Sequence, residues 1–169
     1  MKRPLALLRR LAPAAAALSG VLVAAPAFAG VVSLSQMQDR DVARMVSLGG
    51  SCNRCELSGR DLSGATFTGA SFTNATLVGA TLRGAELLGS NFAGSGFSRA
   101  DMRGVEMLGA TFTNAVFTSA NLTGAEATGA NLIGTNFQDA NLSSAELNGA
   151  NFNRAVLTRT KFNSSEMFG

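Results

Sequence analysis

From Leu57 to Met167 the chain carries a large apolar side chain at every fifth residue, with no insertion or deletion. The series opens Leu57, Leu62, Phe67, Phe72 and closes Phe152, Leu157, Phe162, Met167; only Ala127 is neither leucine, phenylalanine nor methionine. Nine of the 11 phenylalanines fall on it, so almost all the aromatic mass shares one phase. The positions between are ordered too. Two residues before each centre, from Ala65 to Ser165, stand alanine, serine or threonine, with Val105 the one larger exception. Two residues after each centre glycine is commonest, and the positions directly flanking the centre are mostly polar.

A period of five excludes both regular elements. A helix advances about 100° per residue, so residues five apart drift around it. An unbroken strand alternates faces, so residues five apart point to opposite sides. A chain that turns a corner every five residues solves the problem, because each short segment then points its centre inward. Small residues suit the inner corners, and glycine suits the tight backbone turns. So regular a period is the mark of a repeat architecture.

The units Ala120-Asn121-Leu122-Thr123-Gly124, Ala130-Asn131-Leu132-Ile133-Gly134 and Ala150-Asn151-Phe152-Asn153-Arg154 give a tandem motif that resembles the pentapeptide-repeat family. The resemblance covers residues 52–169. It implies an all-β fold, a right-handed quadrilateral β-helix with four pentapeptides, or 20 residues, per coil. Five to six coils at roughly 4.8 Å make a rod of about 27 Å. In that register one inner face stacks Phe72, Phe92, Phe112, Leu132 and Phe152. Another stacks Phe67, Leu87, Met107, Ala127, Leu147 and Met167, where Ala127 leaves a gap for the pliant Met107 to fill.

Residues 1–29 read as a signal peptide. Lys2, Arg3, Arg9 and Arg10 precede an apolar run from Leu11 to Ala25, and Ala27-Phe28-Ala29 is an A-x-A cleavage site. The run is too short, and too broken by Pro13 and Gly20, to predict a stable membrane anchor. The expected location is the periplasm or the outside of the cell, reached by the general secretory or the twin-arginine route. Residues 30–51 are then an N-terminal capping segment, with a short helix over Ser35–Leu48 ended by Gly49-Gly50. Its expected task is to cover the open first coil. Met167 and Phe168 would leave an apolar coil bare at the other end, a surface for a homodimer through the C-terminal coil.

Removing the leader changes the electrostatics. The chain is +3, but four of its 14 basic residues lie in residues 1–29 and none of its 11 acids do, leaving 10 against 11. A net charge near −1 gives no basis for nucleic-acid binding.

Chemistry has few candidates. With no histidine, tryptophan or tyrosine, the commonest general base is absent and an enzyme is not expected. No cofactor is implied. Cys52 and Cys55, the two cysteines, form a C-x-x-C at the first coil. In an oxidising compartment they read as a structural disulfide, with thiol–disulfide exchange as the alternative. Zinc lacks ligands, since no histidine or third cysteine exists.

The most specific surface feature is a 20-residue column of acids: Glu86, Glu106, Glu126, Glu146 and Glu166. Arg83 and Arg103 stand three residues before the first two, in reach to neutralise them. The stripe reads as a solvated acidic face, as a patch for a basic protein partner, or as a site for a bridging hard cation. A second face, carrying Val78, Val116 and Val156, is nearly uncharged.

These features favour an exported, non-enzymatic scaffold that binds an unknown protein partner through its surface. Two alternatives stand beside it. Some cytoplasmic members of the resembled family imitate DNA and bind the topoisomerase gyrase, a role that the signal sequence and the near-neutral mature charge oppose. The other is a periplasmic thiol–disulfide protein using the C-x-x-C.

Overall fold

The computed structural model describes residues 49–169. Every fifth residue from Ser51 to Glu146 forms a parallel bridge with the residue 20 positions later, from Ser51–Ser71 through Glu86–Glu106 to Glu146–Glu166. The coil is therefore 20 residues long and four-sided. Residues 51–70, 71–90, 91–110, 111–130 and 131–150 make five full turns, and residues 151–169 nearly complete a sixth. The 20-residue register expected from the sequence is the observed one.

One pentapeptide shows how the backbone is satisfied. Phe72 N–H donates to the Asn91 carbonyl at 2.7 Å, Asn74 N–H to Ala93 at 2.8 Å, and Asn91 N–H to Ala70 at 2.8 Å. The corner closes when Ala75 N–H donates to the Phe72 carbonyl at 3.0 Å. Each side gives one bridge and one turn, so the strands are as short as pairing allows. The residue two after each centre lies at positive φ, between 57° and 70° from Arg54 to Ser164. Glycine takes most of these corners without steric cost; Asn74, Asn114, Asp139 and Arg159 are among the residues that bear it.

The centres fill the tube. From Leu57 to Leu147 they are at most 2% exposed. On the face of Phe72, the rings of Phe72, Phe92 and Phe112 stack in parallel, 4.7 and 5.4 Å apart, and Leu132 then ends the run. The adjoining face stacks Phe97, Phe117 and Phe137 at 4.9 and 4.7 Å. The two stacks meet edge to face, as in Phe112–Phe117 at 5.4 Å. Such pairs add about 0.5–1.5 kcal/mol each beyond the area they bury. At the corners, buried Ser95 donates to the Phe72 carbonyl at 2.6 Å and accepts from Ala75 N–H at 3.1 Å, tying one coil to the next.

The two ends differ. Cys52, Leu57, Leu62 and Phe67 of the first coil are buried, whereas Leu157 is 39% and Met167 49% exposed in the last. The capping helix expected over Ser35–Leu48, like the signal peptide of residues 1–29, lies outside the described residues, which contain no helix.

Candidate functional site

The first candidate sits at the rim of the first coil. Cys52 occupies a centre and Cys55 the next inner corner, so both project into the tube, and the structure joins them in a disulfide with Cα atoms 5.4 Å apart. Cys52 is buried and Cys55 half-buried. The bond spans one turn, in which Cys55 N–H donates to the Cys52 carbonyl at 3.2 Å and Arg54 carries a φ of 60°. Beside it Asn53 is a hub. Its Oδ1 accepts from Thr73 N–H, Thr73 Oγ1 and Ser71 Oγ, all within 2.9 Å.

The second candidate is the acidic column. Glu86, Glu106, Glu126, Glu146 and Glu166 are bridged in register, so their backbones stand about 4.8 Å apart. Thr66 Oγ1, one coil earlier in the same column, donates to Glu86 Oε2 at 3.2 Å. Arg83 and Arg103 do not turn toward Glu86 and Glu106, which corrects the pairing expected from sequence. Both turn to Asp101. Arg83 Nε lies 2.7 Å from Asp101 Oδ2, and Arg103 grips the same carboxylate through Nε and a terminal nitrogen, each at 2.9 Å. The reason is geometric. Asp101 and Arg103 flank one centre on the same outer face, as Arg83 does one coil earlier, while Glu86 and Glu106 lie around a corner. The 20-residue register puts Arg83, Asp101 and Arg103 on one face, but it does not say which carboxylate each guanidinium turns to.

Arg83–Asp101, Arg103–Asp101 and Arg159–Asp139 form ion pairs, and no glutamate of the column is ion-paired among the described residues. Nor does any group of three or more His, Cys, Asp or Glu side chains converge as a metal site requires, among those residues. Two residues after the glutamates, on the same outer face, stand Leu88, half-buried, and Leu108, 38% exposed. The column is thus an anionic ladder with an apolar flank at its N-terminal half.

Elsewhere the surface holds its carboxylates locally. The Arg159 guanidinium keeps Asp139 below its ordinary value, Ser58 does the same for Glu56, and Ser63 for Asp61. An open notch of about 560 Å³ at the last coil is lined by Gly149, Ala150, Asn151, Phe152, Asn153 and Gly169, with no titratable side chain. On the nearly uncharged face, Val116 and Val156 are 36% and 45% exposed.

The family model for pentapeptide repeats matches in eight copies, over residues 51–87, 77–107, 96–134 and 135–169. No curated protein matches the chain. Among solved structures, the pentapeptide repeat protein Rfr23 from the cyanobacterium Cyanothece 51142 is 23% identical, covering 69% of this chain and 86% of its own, with a TM-score of 0.47. AT2G44920, from the Arabidopsis thaliana thylakoid lumen, is 30% identical over 63% of this chain and 71% of its own, at 0.36. QnrB1, a plasmid-mediated fluoroquinolone resistance protein, is 18% identical over 70% and 87%, at 0.40. The repeat matches run through all six coils without a break, and the chain belongs to the pentapeptide repeat family.

Proposed function

We propose that this protein is an exported, non-enzymatic repeat scaffold that docks a basic partner protein along its glutamate ladder. The observation that carries the reading is the ladder itself: five carboxylates in register, none ion-paired among the described residues, with Leu88 and Leu108 beside them. Arg83 and Arg103, the arginines three residues before Glu86 and Glu106, turn to Asp101, so the anionic row is left for a partner's cations. Charge complementarity of this kind gives register and fast association, and the adjoining leucines supply apolar contact.

Export rests on the basic start, apolar run and A-x-A site of residues 1–29. The cap assigned to residues 30–51 rests on the sequence pattern of Ser35–Leu48 and the Gly49-Gly50 that follows it. Exposed Leu157, Met167 and Phe168 support a homodimer through the last coil, which sedimentation velocity across a range of concentrations tests.

Intact mass of the protein from its host tests export: the expected chain begins at Gly30, and an unprocessed chain overturns it. A photo-crosslinker placed at Thr128, in the exported fraction, tests docking. The expected adduct is a basic protein lost in the Glu126→Gln, Glu146→Gln, Glu166→Gln variant. An adduct that survives these changes removes the ladder from the interface.

A further inference from the structure

We propose that the Cys52–Cys55 bond is a redox latch: a dithiol opens it, and the first coil then frays while the later coils stay folded. The argument begins with what the cysteines replace. On the face of Cys52 the next three coils place Phe72, Phe92 and Phe112, a continuous aromatic stack. At the corner of Cys55 they place Ala75, Ser95 and Ala115, all buried. The first coil thus lacks the ring that fills this part of the tube, and a covalent bond stands in its place. The next corner departs as well: Arg60 stands where the following coils have Ala80, Ala100 and Ala120. Between the cysteines Arg54 is held at a φ of 60°, a conformation costly for a residue with a side chain.

Locality follows from the solenoid. Among the described residues, the first coil's backbone reaches only its successor: Cys52 N–H to Ser71, Arg54 N–H to Thr73 and Leu57 N–H to Thr76, with Ser71 N–H returning to Gly50 and Thr76 N–H to Cys55. In a repeat array each unit meets only its neighbours, so the first coil can open while the later coils stay paired. A bond that closes a loop this small constrains the unfolded chain little, which confines its effect to the native turn.

The exchange has a direction. Cys52 is 3% exposed and Cys55 is the more open partner, so an incoming thiolate attacks the Cys55 sulfur. The S–S bond breaks, and the electron pair leaves on the Cys52 sulfur, which takes a proton. The second thiol of the dithiol then resolves the mixed disulfide at Cys55. Two electrons pass to the protein, and the dithiol leaves as a cyclic disulfide.

The test is amide-resolved hydrogen exchange on the full chain, with and without dithiothreitol. The amides of Cys52, Arg54 and Leu57 are expected to exchange at least tenfold faster under dithiol, and those of Phe92 and Phe112 unchanged. A Cys52→Phe, Cys55→Ala variant restores the ring and the small corner, and should keep the first coil protected whatever the redox state. Three results overturn the latch: the bond opens with first-coil exchange unchanged, protection falls along the whole rod, or the native bond resists dithiol that reduces the denatured chain.

Discussion

The side-chain oxygen of Asn74 lies 2.5 Å from the point where a Cβ on Gly94 would stand, one coil below on the same corner. The arrangement recurs two coils on, where Asn114 Oδ1 crowds the same point on Gly134. An asparagine that takes positive φ at a corner thus leans over the following corner and requires glycine there. These glycines do more than permit the backbone conformation, which Gly129, at a φ of 67° with open space where a Cβ would go, also does.

Gly94→Ala should therefore cost more than Gly129→Ala. Both force a side chain into left-handed backbone, about 1–2 kcal/mol. Gly94→Ala adds the contact with Asn74, and we expect a further ~1 kcal/mol. Adding Asn74→Gly should restore that increment and no more. Urea denaturation of the four proteins measures it, and equal costs at the two glycines would refute the pairing.

How much of this was legible follows from what the period encodes. The centres and small corners are one-dimensional facts, because a side chain that fills the tube must recur at the same phase. Columns such as Phe72, Phe92 and Phe112 then followed from the 20-residue coil. Side-chain direction on the outer surface did not follow. Arg83 stands three residues from Glu86, but a corner intervenes, and the guanidinium finds Asp101 across the flat of its own face. The Asn74–Gly94 contact was equally hidden, since it depends on how one asparagine leans between coils. The cysteines projected inward at the first coil as their phase required.

Val105 and Ala127 offer a test of packing across coils. From Ala65 to Ser165, Val105 is the one oversized inner corner, and Ala127 is the one undersized centre; both are fully buried. They border the same face: Val105 lies two residues before Met107, whose N–H donates to the Glu126 carbonyl one coil on, directly before Ala127. Val105→Ala should leave a void and Ala127→Leu should overpack, each costing about 1–3 kcal/mol. Combined, they remove two carbons and add three, which nearly conserves volume, and the pair should fall within about 1.5 kcal/mol of the parent. Strict additivity in denaturant titrations would show that the two sites do not share space.

Asp101 draws two arginines, yet its removal should matter little. The side chains of Arg83, Arg103 and Asp101 are 54%, 44% and 26% exposed, and exposed pairs contribute roughly 0–1 kcal/mol. Asp101→Asn should lower stability by less than about 1 kcal/mol at low salt and by less still near 1 M salt, where the Debye length falls to ~3 Å. A salt-independent loss of several kcal/mol would mean that the clamp shapes the coil rather than decorating it.

The pH dependence of stability rests on carboxylates with local partners. Arg159 lowers the pKa of Asp139 from its ordinary 3.8 by a hydrogen bond and by charge, and Ser58 lowers that of Glu56 from 4.5. A carboxylate with a depressed folded-state pKa binds its proton more weakly when folded. Its contribution is therefore complete above the unfolded-state pKa and is lost as pH falls through the folded one. Stability should be level from pH 8 to about 5 on this account and decline below the ordinary carboxylate range of roughly 4. Arg159→Gln should return Asp139 toward its ordinary value and leave Glu56 in place, as read by carboxyl-carbon NMR titration. If Asp139 titrates at the same pH with and without the guanidinium, the Asp139–Arg159 pair between the last two coils is not formed in solution.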